Sequence, residues 1–398
     1  MLKKIVGFFL SWKLLMFSLA FLATLIIPLN WGNTYIRPFH TPNVPYNYQI
    51  DPPYYIWIWA NFDGAHYLSL ARSGYLDYQY GFFPLYSMII DYTHNLFHLR
   101  YISAGVLISN VFFLLSLFTI WALLKIDDKK KLLSLFLLIL ILFPTSFFYG
   151  AVYNDSLFFF LATLSIYFAR RESWILASLS ASVATLARLN GLALFFLIFF
   201  EYLLSSEKSS TGWSLASLLV SLKSQLQLKK VLKSKIYFVL LVPLVFVGYL
   251  VFIQFDSGSW TNLFTSMKVW GQDKTIFPLQ VFWRYLKIIF TVSPHLFNYW
   301  IAVSELFFVF LYTFLLIFSF KRIRFSYWIF FFISLLIPSF TGTFQGMPRY
   351  GLHLYPLFLS LTMLLSSQSL LKKIAYFVIS ILLLSLYVGL FTRGYFVA

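Results

Sequence analysis

Between residues 61 and 75 the chain reads Asn-Phe-Asp-Gly-Ala-His-Tyr-Leu-Ser-Leu-Ala-Arg-Ser-Gly-Tyr, and Gly81-Phe82-Phe83-Pro84-Leu85-Tyr86 follows closely. Tyr67, Leu70, Ala71 and Gly74 fall on one face at helical spacing, which predicts a short helix with Asp63 and His66 one turn apart at its start. The helix dipole favours a carboxylate there, and a carboxylate so positioned suits a general base that takes a proton from an acceptor hydroxyl. The competing use for Asp63 is a plain N-cap, and for His66 a hydrogen bond within a loop. Asp155 opens a second predicted helix after Asn154. It is either that helix's N-cap or a partner of Asp63 that orients the acceptor or shares its proton. Arg188 lies between two apolar runs. A cation at that depth is costly and marks a functional position, unless it snorkels or pairs with an acid such as Asp155. Asp63, His66, Asp155 and His353 also offer the donor types for a divalent cation, although their spacing matches no metal-binding pattern. The chain has no Cys, which excludes thiolate catalysis, Cys-ligated zinc and disulfides.

The elements that must hold these residues are membrane helices. Of the 398 residues, 60% are apolar and 11% charged, against roughly 45–50% and 25% in soluble proteins, so the chain is expected to be one all-α, polytopic membrane unit spanning 1–398. The first apolar run, 5–27, follows Lys3 and Lys4, is interrupted by Lys13 and lacks a small-residue cleavage signature, so it reads as an uncleaved anchor. Further runs near 101–124, 132–149, 155–170, 174–188, 191–205, 236–254, 301–320, 325–342, 351–367 and 374–391 predict about 11 spans, some of them short enough to be broken helices.

Placing the N-terminus in the cytoplasm puts Lys125 to Lys131, Arg170 with Arg171, residues 206–235, Lys321 to Arg324 and Lys372 with Lys373 on the same side, as the positive-inside rule asks. The net charge of +17 is then mostly a topology signal directed at membrane lipids, and no nucleic-acid partner is expected. Residues 206–235 read as an amphipathic cytoplasmic connector. The opposite, external face carries two long aromatic loops, 30–100 and 256–300, with Asp51, Asp63, Asp77, Asp91, Asp155, Asp256 and Asp273 on or near it. His94, His98, His295, Asp256 and Asp273 read as ordinary loop residues, and Phe82, Phe83 and Pro84 as fixing a turn. No repeat is visible. Acids gathered at one face favour an enzyme over a transporter or flippase, which would spread charge along a central path.

Four segments carry a resemblance. They are Asp63 to Tyr86; Pro144-Thr145-Ser146-Phe147-Phe148 with Tyr153-Asn154-Asp155-Ser156-Leu157-Phe158; Ala187-Arg188-Leu189-Asn190-Gly191; and Pro348-Arg349-Tyr350 with Pro356. In that order, over about residues 61 to 360, they resemble the GPI mannosyltransferase II (PIG-V-like) family of GT-C glycosyltransferases, in which an Asp opens a short helix ending in Gly-Tyr and followed by Phe-Phe-Pro. The chain departs from the pattern at Phe62, where the family often has Trp, and at Ser87, where it often has a second Pro. Asp77 stands in a shortened spacer for the acid common between Gly-Tyr and Phe-Phe-Pro.

The resemblance implies a polyprenyl-phosphate sugar as donor and a lipid or glycan acceptor, joined at the external face. Divergent prokaryotic members lack the GPI acceptor, so the acceptor is not carried over; in a prokaryote the location would be the plasma membrane. It implies mannose or another hexose as the group moved, with Asp63 as base in an inverting displacement. The leaving polyprenyl phosphate needs stabilising charge, for which Arg188 and Arg349 are the candidates and Arg72 a third. His66, Asp77, Asp155 and Asn190 are the remaining candidate substrate contacts. A partner subunit, and a non-catalytic role in holding the lipid-linked sugar, stay open.

Overall fold

A computed structural model describes residues 2–30, 53–205, 213, 215–225, 227–272 and 274–397. Residues 31–52, with Asp51, most of the connector's start at 206–212, and Asp273 lie outside the described residues. Among those described the chain is all-α, with 19 α-helices joined by short 3-10 turns. α1 (Leu2–Ile26) is followed by α2 (Tyr54–Trp57), α3 (Asp63–Ser73), α4 (Pro84–Phe97), α5 (Tyr101–Ile126), α6 (Leu133–Leu142), α7 (Asp155–Arg170), α8 (Trp174–Ala187) and α9 (Ala193–Leu203). α10 (Leu215–Gln225) and α11 (Leu228–Ser234) belong to the connector. Then come α12 (Leu241–Ser257), α13 (Asn262–Thr265), α14 (Pro278–Thr291), α15 (Phe297–Ser319), α16 (Phe325–Ser339), α17 (Met347–Tyr350), α18 (Tyr355–Ser366) and α19 (Leu370–Thr392).

Five of these stretches are long and apolar enough to cross a membrane: α1, α5, Ile236–Ser257, α15 and α19. At 1.5 Å per residue each exceeds the roughly 30 Å of a hydrocarbon core. Their outward faces are apolar: Leu10, Leu14, Phe21 and Leu25 on α1 and Phe307, Phe314 and Ile317 on α15 are exposed. Water would penalise such continuous stripes, which suggests an integral membrane protein. The other apolar runs are shorter as helices. The 132–149 run stops at Leu142 because Pro144 forces Phe143 into an extended conformation (φ −59°, ψ 139°), and it resumes only as a 3-10 turn over Ser146–Gly150. The 191–205 run likewise opens with a 3-10 turn, Leu189–Leu192.

α7 organises the interior, with α5 and α8 packed against it. Its two ends carry two separate ionic clusters, about 22 Å apart by helical rise. At the C-terminal end Arg170 bonds Asp127 and Glu201, each at 3.0 Å, and Arg324 reaches Glu201 at 2.7 Å. Tyr327 donates to Asp127 at 3.0 Å. Arg170 and Arg324, read from the sequence only as topology charges, thus also tie the ends of α5, α7, α9 and α16 into one network. At the N-terminal end of α7 lies the cluster around Asp155.

Candidate active site

The sequence places Asp63 by means of a strained turn. Phe62, immediately before α3, has φ 57° and ψ −119°, a conformation that a bulky L-residue avoids and that costs of order 1–3 kcal/mol. Its neighbours hold it there. The Phe62 ring packs on Phe391 (5.9 Å) and Phe396 (5.5 Å), Asn61 Nδ2 donates to the Phe391 carbonyl at 2.9 Å, and Tyr153 Oη donates to the Asn61 carbonyl at 2.9 Å. The Val152 N–H bonds the Trp59 carbonyl at 2.8 Å, so the segment leading into α7 runs beside the start of α3. Gly64 permits this approach, since a Cβ there would lie 3.2 Å from the Val152 carbonyl oxygen. The first turns of α3 and α7, 92 residues apart in sequence, are thereby brought together.

Between them sits Arg349 from α17. Its Nη1 donates to Asp63 Oδ2 at 2.7 Å, its Nε is 3.9 Å from Asp155 Oδ1, and its guanidinium lies over the rings of Tyr153 (5.1 Å) and Phe148 (5.4 Å). Arg188, at the end of α8, reaches Asn154 Oδ1 at 3.0 Å and Asp155 Oδ1 at 3.3 Å, with its guanidinium 5.0 Å from the Tyr350 ring. His353 Nε2 is 2.6 Å from Asp155 Oδ1 and 3.0 Å from Arg188 Nη1. One nitrogen cannot both donate to the carboxylate and accept from the guanidinium; the shorter contact assigns the proton to Nε2, donating to Asp155. His353 Nδ1, Asp155 Oδ2 and Arg349 Nε are buried with no hydrogen-bond partner among the described residues.

Burial is graded across the cluster. Asp155 and His353 are fully buried, whereas the Asp63 side chain keeps 26% of its surface exposed. Asp63 is therefore the carboxylate accessible to a ligand, and Asp155 the buried charge that holds two arginines in place. Two guanidiniums balance two carboxylates, so with His353 neutral the cluster carries no net charge. Arg349 stands between the two acids, and among the described residues no group of three or more His, Asp or Glu side chains comes together to hold a metal ion.

The other sequence candidates fall in different places. His66 lies one turn along α3, its ring stacked on Phe82 (4.9 Å) and its Nδ1 3.3 Å from Gln79 Nε2. Burial lowers its pKa below the ordinary 6.5, outweighing the opposing charge of Asp63, so it is neutral at pH 7. Arg72 and Asp77 are exposed, at and beyond the far end of α3, and the structure does not bring them to the cluster. Asn190 is buried but points toward α16, donating to the Ser334 carbonyl at 3.4 Å. His94 and Asp256, expected in loops, are helical: His94 stacks on Tyr101 (3.9 Å) and Asp256 accepts from Tyr80 at 2.8 Å. His353, considered from sequence only as a cation ligand, belongs to the cluster; its position four residues after Arg349 was the available signal.

Gly191 has a steric reason for its place after Arg188. A Cβ there would lie 2.5 Å from the Thr185 backbone, where the 3-10 turn folds back against the last turns of α8. Gly191→Ala is expected to cost about 2 kcal/mol or more in stability and to displace Arg188. Thermal unfolding of the purified variant checks the first effect, and an unchanged melting temperature would contradict it.

Comparison with protein-family models, curated proteins and solved structures finds no match to this chain.

Proposed function

We propose that the protein is a membrane glycosyltransferase of the GT-C type, moving mannose or another hexose from a polyprenyl-phosphate sugar to a hydroxyl of a lipid-linked or glycan acceptor. The observation that carries this reading is the convergence of Asp63, Asp155, Arg188, Arg349 and His353 from four distant segments on one partly exposed carboxylate backed by two guanidiniums, one buried and one half-buried. Single displacement at an anomeric carbon calls for one carboxylate on the acceptor side and stabilisation of an anionic leaving group opposite, whereas a glycoside hydrolase sets two carboxylates about one bond. The motifs of the PIG-V-like family support the same class and suggest mannose first. In this reading the long helices and the shorter apolar ones make about 11 spans, with the N-terminus in the cytoplasm and the cluster at the external face, in the plasma membrane of a prokaryotic host.

Asp63 takes the acceptor proton as the acceptor oxygen bonds C1 of the sugar, and the C1–O bond to the phosphate breaks with its electron pair leaving on the polyprenyl phosphate. Proton and charge movements are coupled by the ion pair. Once Asp63 is protonated, Arg349 loses its partner charge, and the cluster becomes net positive as the leaving phosphate, already a monoanion in the donor, gains its second negative charge. Arg188 supplies the second cation. Arg72 and Asp77, at the far end of α3, would meet substrate only outside this cluster. A divalent cation is a separate question that activity in excess EDTA answers.

The test is consumption of synthetic polyprenyl-phosphate mannose by the purified protein, with free polyprenyl phosphate followed by mass spectrometry in the presence of a host membrane extract. Release that depends on the extract supports the reading. Donor that stays intact, or crosses the bilayer unchanged, goes against it and favours a flippase.

A further inference from the structure

α15 carries Glu305 in the middle of an apolar helix, where an acid is costly unless it is used. It is buried, at 4% exposure, and lines an open, surface-facing cavity of about 360 Å3 shared with Arg284, Tyr285, Asn298, Thr343 and Gln345. That volume lies within the range of about 300–1,000 Å3 common for small-ligand sites. The hydrogen bonds around Glu305 run in one direction. The Gln345 N–H donates to Thr343 Oγ1 at 3.1 Å, the Thr343 hydroxyl and the Phe344 N–H both bond Tyr285 Oη, at 2.9 and 3.0 Å, and Tyr285 in turn donates to Glu305 Oε2 at 2.6 Å. The Gly346 amide also faces the carboxylate, but Oε1 has no partner of hydrogen-bonding geometry among the described residues. A fixed buried carboxylate with one oxygen unused keeps acceptor capacity for hydrogen-bond donors.

Two charges narrow the ligand. The buried carboxylate disfavours a phosphate such as the lipid-linked donor's headgroup. Arg284 on the same wall disfavours an ammonium. What remains is an uncharged group with several hydroxyls, which Glu305 accepts from and to which the amides of Asn298 and Gln345 and the Arg284 guanidinium donate. Phe396 also lines the cavity and packs edge-on against Phe62, the residue that aims Asp63, so the cavity adjoins the start of α3.

We propose that this cavity binds a glycosyl unit of the acceptor, held through its hydroxyls by Glu305 and presented toward Asp63. The word acceptor rests on the proposed transfer activity; binding of the sugar does not.

The test reads binding without turnover. The protein is reconstituted in lipid nanodiscs, free of sugar-based detergent, and saturation-transfer NMR is recorded with methyl α-mannopyranoside, methyl β-glucopyranoside and, as the cationic probe, choline. Wild type is expected to bind at least one glycoside and not choline. Glu305→Gln is expected to weaken that binding at least about tenfold, because Tyr285 holds the amide oxygen and turns the NH2 toward the cavity, replacing the acceptor with a donor. Gln345→Ala, which removes one amide and leaves the carboxylate and the α15 packing in place, serves if Glu305→Gln melts early; it is expected to weaken binding more modestly. No glycoside binding by folded wild type, choline binding instead, or glycoside binding unchanged in both folded variants overturns the proposal. Glycoside binding by a protein that releases no polyprenyl phosphate would retain this site and overturn the transferase reading alone.

Discussion

Asp63→Asn is expected to lower turnover of polyprenyl-phosphate mannose by about 10²–10⁴ while leaving the protein folded, the range over which a positioned general base contributes. The asparagine oxygen still accepts from Arg349, so the 2.7 Å contact has a substitute and the strained turn at Phe62 keeps its other anchors. What the variant loses is the capacity to take a proton. Because Asn also removes a negative charge from beside Arg349, donor binding is expected to be unchanged or tighter, so kcat falls while the donor KM does not rise. That split separates a base from a binding residue, whose loss raises KM. Steady-state kinetics with donor varied at fixed acceptor measure it, and a rise in KM with kcat preserved would remove Asp63 from the proton-transfer role.

Asp155→Ala is expected to act on stability first. The carboxylate is fully buried and takes Arg188, His353 and the longer approach of Arg349 on one oxygen. Removing it leaves the guanidiniums of Arg188 and Arg349 with only Asp63 to offset them. Breaking a buried pair in this way costs about 3–5 kcal/mol. A melting temperature lower by roughly 10 °C is the expected reading, against little change for Asp63→Asn, whose partly exposed pair contributes far less. Equal melting of the two variants would show that burial does not rank the two acids as argued.

The helices at both halves of the cluster are legible in the sequence because their signals are local. The apolar face of Tyr67, Leu70, Ala71 and Gly74 and the acid at its head define α3 within a residue, and Asn154-Asp155 marks the start of α7. Pairing is another matter. Asp63 and Arg349 are 286 residues apart, and no periodicity links them. Their meeting depends on the approach of α3 to the segment before α7 at Gly64. Arg188 was open to either a ligand or an acid from the sequence, and the fold gives it Asp155. Arg72 and Asp77, candidates for substrate contact in the sequence, lie at and beyond the far end of α3, which is about 16 Å long. Glu305 carried a signal that went unused, a lone acid within an apolar run. Asp127 and Glu201 were hidden for the opposite reason, since they lie near basic residues whose abundance is already explained by topology. That some short apolar runs would be broken was legible, but not the breaks after Leu142 and before Ala193, because hydropathy records apolar length and not where the backbone turns.

The most direct measurement is transfer of radiolabel from synthetic polyprenyl-phosphate mannose to an extract of the host's own membrane lipids and glycans, with purified wild type beside Asp63→Asn, each with and without EDTA. Labelled product from the wild type that disappears in the folded variant is the predicted result, and its chromatographic mobility begins to define the acceptor. Equal product from both proteins would contradict the assignment of Asp63. No product from a folded wild type that binds the donor would favour a flippase or a non-catalytic subunit that holds the lipid-linked sugar.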